Sequence, residues 1–178
     1  MGLADASQAG RQARYADLRR MPALRLGYPL LTLLLTLAVG ATAHAAPSTF
    51  GPVIGSAILC RSHLDSAYFH SYLSAAFGPS YKHEGGAYWF KADGSLWGAP
   101  VTDIMLSDDS TDLVFLAAVA DVTPDKLDEA IRASAGVRHE SIDTSSFPVR
   151  QSRPGSKIVY FNTKSKIYCA KYKPPPAG

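Results

Sequence analysis

The chain has 178 residues, 47% of them hydrophobic and 19% charged, which supplies a packed core and excludes a disordered class. Its formal charge is +3, but five arginines against two aspartates before residue 46 account for the whole surplus. The remainder is neutral, so overall basicity supports no nucleic-acid reading.

The first segment reads as an export signal. Arg25 precedes the apolar run from Tyr28 to Gly40, and Ala43-His44-Ala45 follows. A positive start, a short apolar core and small residues at −3 and −1 are the marks of a secretory signal. The run falls short of the roughly 20 residues that span a bilayer, and Gly40 and Pro47 oppose an uncleaved anchor. Cleavage is expected after Ala45, giving a signal over 1–45, one domain over 46–173 and a disordered Pro-rich tail over 174–178. Met21 opens a compact signal by itself and is the expected true start, a long basic leader being the alternative. The destination is periplasmic or secreted, with no membrane span in the mature form.

Residues 53–59 are expected to form a first strand. A helix follows from Leu64 to Phe77, capped by Ser62 with Asp65 and stopped at Gly78-Pro79. Its apolar face gathers Leu64, Tyr68, Phe69, Tyr72, Leu73, Ala75, Ala76 and Phe77, leaving His63 and His70 outward. Ala87–Ala92 and Ser95–Gly98 are expected to pair through an Asp93-Gly94 hairpin turn, with Phe90 opposite Trp97 and Trp89 opposite Gly98. Val101–Leu106 continues as a strand. Leu113–Ala120 has no polar alternation and belongs at the sheet centre. Thr123-Pro124-Asp125 starts a second helix, with Leu127, Ala130, Ile131 and Ser134 inward and a stop at Gly136. Strands near 147–151, 157–161 and 166–172 complete the chain. The expectation is an α+β domain of order β-α-βββ-α-βββ, an antiparallel sheet of about six or seven strands with two helices on one face.

Cys60 and Cys169 are the two cysteines, and after export such a pair closes as a disulfide. No Cys-x-x-Cys motif supports a redox role. The charge is divided: residues 46–143 carry thirteen acids and six bases, and residues 144–178 carry seven bases and no acid. Lys157, Lys164, Lys166, Lys171 and Lys173 form the candidate interaction surface, offered to an anionic envelope component or an acidic protein. The opposing reading is a set of basic strands beside the acidic half of the same domain.

Catalytic patterns are weak. His63 and His70 stand seven apart, where zinc helices use four, and no third ligand is defined. Asp108–Asp112 lacks the spacing of a calcium loop and reads as a hairpin loop. Ser156 has no nucleophile elbow and sits in a turn before a strand. The lysine–tyrosine alternation after Lys157 resembles a single-strand binding surface, a partner that export disfavours. Glu84, in His83-Glu84-Gly85-Gly86, is the one candidate general acid, with Tyr81, Tyr88 and Trp97 to stack on sugars and Asp103 as second carboxylate. Its other reading is a turn into the next strand. No cofactor or metal is called for. The sequence therefore points to an exported, non-catalytic binding protein, with a cell-envelope hydrolase using Glu84 as the alternative.

Overall fold

A computed structural model describes residues 45–173; the expected signal, apart from its last residue, and the expected disordered tail over 174–178 lie outside the described residues. Eight antiparallel strands form one sheet in the order β1-β2-β3-β4-β8-β7-β6-β5. They are β1 Lys82–Glu84, β2 Ala87–Leu96, β3 Ala99–Ser107, β4 Leu113–Ala120, β5 His139–Ser141, β6 Arg150–Ser152, β7 Lys157–Phe161 and β8 Lys164–Tyr172. Each half is a helix followed by a four-stranded meander: α2 (Ser66–Phe77) leads β1–β4, and α3 (Pro124–Ala135) leads β5–β8. The two meanders meet along the β4–β8 ladder, where Ala117 faces Tyr168 and Leu116 faces Cys169. The apolar run of β4 thus lies at the centre, as its lack of alternation predicts.

The α+β class and antiparallel sheet agree with expectation, but the element order does not. Residues 53–59 are not a strand. Pro52 helps start a π-helical turn, Gly51–Gly55, that runs into the short helix α1, Ser56–Ile58. Ile54, Ala57 and Ile58 are fully buried, and α1 packs on β4 and β8. A short apolar run suits a buried helix as well as a strand, and periodicity cannot separate them. The helices of one face are therefore three. Two strands, β1 and β5, were not anticipated because each has only three residues.

The first long helix starts later than expected. Asp65 is the N-cap, its carboxylate accepting from the Tyr68 amide at 2.9 Å, and Gly78 ends the helix. Phe69 and Leu73 are buried, whereas Tyr68 is 53% exposed. His63 is exposed, but His70 packs edge-on to Tyr88 and Phe90 with centroids 4.8 and 5.7 Å away. In α3, Leu127 and Ile131 are buried and Gly136 closes the helix in the left-handed region. Ser134 is exposed, its hydroxyl donating to the Trp97 carbonyl at 3.2 Å.

The Asp93-Gly94 hairpin is the second correction. β2 runs through both residues as a bulge, and the turn falls at Trp97-Gly98, both with positive φ. Phe90 consequently faces Ile104, and Trp89 faces Met105. Gly94 is required by packing, since a Cβ there would stand 2.7 Å from the Ala46 side chain and 3.4 Å from Phe50.

Cys60 and Cys169 form a disulfide with a Cα–Cα distance of 5.3 Å across 109 residues of sequence. It ties the chain after α1 to the middle of β8. No helix among the described residues is long and apolar enough to cross a membrane.

Candidate functional site

The helices cover one face of the sheet; among the described residues no helix covers the other. Strand alternation puts Lys82, Trp89, Met105, Ala117, Tyr168, Lys157, Gln151 and Glu140 in one transverse row on that open face. Met105 and Ala117 are sheltered by the larger Trp89, Phe115 and Tyr168 side chains. The row is apolar at its middle and charged towards both ends.

Lys166 belongs to the next row, opposite Val119 and Val159. Its ammonium lies 4.4 Å from the Phe161 ring centroid and 5.7 Å from that of Trp89. Lys82 stands over the other side of the row, 5.1 Å from the Trp89 ring. Burial pulls the Lys166 pKa below its ordinary value, and no carboxylate of the described residues pairs with it. Trp89 Nε1 is buried there without a hydrogen-bond partner.

The five candidate lysines do not share one surface. Lys157, Lys164 and Lys166 alternate onto the open face, although Lys164 pairs with Asp121 at 3.2 Å. Lys171 lies on the helix side of β8, and Lys173 pairs with Asp109 at 3.2 Å. The basic C-terminal half is thus partly neutralised by the acidic half of the same domain.

Glu84 and Asp103 are not brought together. Glu84 ends β1 as the residue before a tight turn, Gly85-Gly86, with positive φ at both glycines. Its carboxylate is 70% exposed and pairs with Lys82 at 2.7 Å. Asp103 lies two strands over and four residues along, a Cα separation of roughly 16 Å from sheet geometry. Asp103 instead accepts from Tyr81 at 2.8 Å, Lys91 at 2.7 Å and Thr102 at 2.7 Å. Burial acts to raise its pKa, but these donors and the Lys91 charge together hold it below the ordinary value. The three aromatics also separate: Tyr81 holds Asp103, Tyr88 packs among the helix-side residues, and Trp97 lies in the β2–β3 turn against Gly55.

The acidic turn after β3 is held by its own hydrogen bonds. Ser110, through both hydroxyl and amide, and His83 Nε2 donate to Asp108, pushing its pKa down to about 2.

The sequence gives no hint of a buried polar chain that the structure assembles. Asp128 on α3 accepts from the His139 amide at 2.8 Å and from its Nδ1 at 3.1 Å. His139 Nε2 accepts from the Ser156 hydroxyl at 2.9 Å, and Ser156 Oγ lies 2.7 Å from Ser152 Oγ. The order is that of a serine-protease relay. Ser156 is nevertheless 0% exposed and already engaged by Ser152, so its hydroxyl meets no solvent or substrate in this arrangement. What the chain does is fasten α3, β5 and the β6–β7 turn.

Immediately outside this chain is a cleft of about 350 Å³ lined by Arg61, Arg138, Glu140, Gln151 and Arg153. Arg138 and Glu140 flank His139 at the start of β5, as Gln151 and Arg153 flank Ser152 at the end of β6. Compared with known protein families, curated proteins and solved structures, the chain matches none.

Proposed function

We propose that this is an exported, non-catalytic binding protein whose open sheet face receives an acidic protein partner. The observation that carries this reading is Lys166, a half-buried ammonium set against Phe161 and Trp89 with no carboxylate of its own chain. A desolvated cation without a partner favours an incoming carboxylate, which would regain the lost electrostatic energy at a site already partly dry. Around it lies the anatomy of a protein interface, with Trp, Met and Tyr at the centre and lysines at the margin. Export agrees with the N-terminal signal pattern and with a closed disulfide, which persists in oxidising compartments.

A photo-crosslinking residue in place of Tyr168, on the same row, tests the reading. The expected result is an adduct with a protein carrying an acidic face, weakened by salt and lost in the Lys157→Glu, Lys166→Glu double variant. Unchanged capture by that variant would remove the surface from consideration. Adducts with lipid or polysaccharide, or with a second copy, would replace the acidic-protein assignment.

A further inference from the structure

We infer that the arginine-lined cleft at the β5–β6 edge is a site for a small oxyanion ligand, one bearing phosphate or carboxylate groups. Arg61, Arg138 and Arg153 reach it from three separate parts of the chain: the segment after α1, the approach to β5 and the β6–β7 turn. No carboxylate of the described residues stands within ion-pair distance of any of the three, Glu140 in the same cleft included. Three guanidiniums against one carboxylate leave a net positive cleft. Guanidinium forks bind oxyanions bidentately, and several around one ligand favour multiple charges over one.

The cleft is prepared rather than merely charged. Arg61 is fixed from both sides. Its Nη2 donates to the Ala135 carbonyl at the end of α3, 3.1 Å away, and its neighbour Cys60 is locked to β8. The Cys60 sulfur also sits beside Gly155 in the β6–β7 turn, where an added Cβ would stand 3.9 Å from it. Beneath the cleft, the His139–Ser156–Ser152 hydrogen bonds hold the strands that present Arg138 and Arg153. A volume of about 350 Å³ suits a small metabolite or a single phosphorylated group.

The test is calorimetric titration of the oxidised protein with pyrophosphate, with citrate and with sodium chloride at matched ionic strength. ¹H–¹⁵N shifts of residues 136–140 and 151–154 locate any binding. Saturable binding of pyrophosphate or citrate is expected, weakened about tenfold or more in an Arg138→Gln, Arg153→Gln double variant. The tighter of the two probes distinguishes phosphate from carboxylate recognition. Lys166→Gln should leave this affinity unchanged: the cleft shares Glu140 and Gln151 with the outer end of the open-face row but not Lys166, so failure of one reading does not decide the other. Arg138→Lys with Arg153→Lys guards against misfolding: charge is retained, the forks are lost and affinity should fall between the two. Absence of saturable binding, shifts lying elsewhere, or full affinity in the glutamine variant would overturn the assignment.

Discussion

His139 Nε2 lies 2.9 Å from Ser156 Oγ, and neither side chain reaches solvent. The bond joins β5 to the turn before β7, with the neutral imidazole accepting from the hydroxyl. Burial, the largest influence, lowers the His139 pKa below its ordinary value; Asp128 pulls upward through its hydrogen bond and charge, and Arg150 pushes down.

Acid sensitivity follows from that shift. The unfolded chain takes up a proton near the ordinary histidine value of about 6.5, whereas the folded chain resists until lower pH. The contribution to stability is therefore complete above about 6.5 and is lost as pH falls towards the folded value. Urea unfolding at pH 7.5 and 5.5 should show a stability loss in the wild type that is smaller in His139→Gln. Equal losses would mean that other groups set the acid limit.

Ser156→Ala should cost about 1–3 kcal/mol, because it leaves a buried imidazole nitrogen and the Ser152 hydroxyl short of a partner. Denaturant midpoints measure this. A cost near zero would show that water enters to replace the hydroxyl.

Reducing the Cys60–Cys169 bond, or replacing both residues with alanine, should lower stability by up to ~4–5 kcal/mol in the chain-entropy model, since the closed loop is long. The check is unfolding with and without reductant, the double alanine variant being insensitive to reductant.

Gly94→Val should destabilise by ~1–3 kcal/mol through overpacking against Phe50 and Ala46. Replacing Ala46 with glycine in the same chain should recover part of the loss. No recovery would place the strain wholly on the Phe50 ring.

Lys166→Met should leave the unfolding free energy within ~1 kcal/mol, because loss of the cation–ring contacts is offset by relief of a desolvated charge. Its effect should fall on partner capture instead. A large stability loss with capture intact would make Lys166 a structural residue.

Those parts of the fold governed by local chemistry were legible. Thr123-Pro124 and Gly136 bracket α3, and the uninterrupted apolar run of β4 places it centrally. Residues 53–59 misled because a short apolar run under a sheet lacks a period to read. Asp93-Gly94 misled because two glycine-bearing pairs compete in one strand pair, and tertiary packing of Ala46 and Phe50 on Gly94 decided the register. The Cys60–Cys169 bond needed only a count of cysteines. The arginine cleft and the His139 chain were illegible, since their members lie far apart in sequence and converge only when β5 and β6 pair. Among the lysines, sequence marked the basic segment, but strand alternation and ion pairing decided which of them face outward unpaired.

The position of β8 sets a timetable for the molecule. Residues 164–172 occupy the middle of the sheet, between β4 and β7, so the first meander has no second neighbour until they arrive. The β4–β8 ladder is the longest-range pairing in the sheet and carries its largest loop-closure cost. Until it forms, the inner edge of β4 has no strand beside it, and an unpaired apolar edge is open to any strand that meets it.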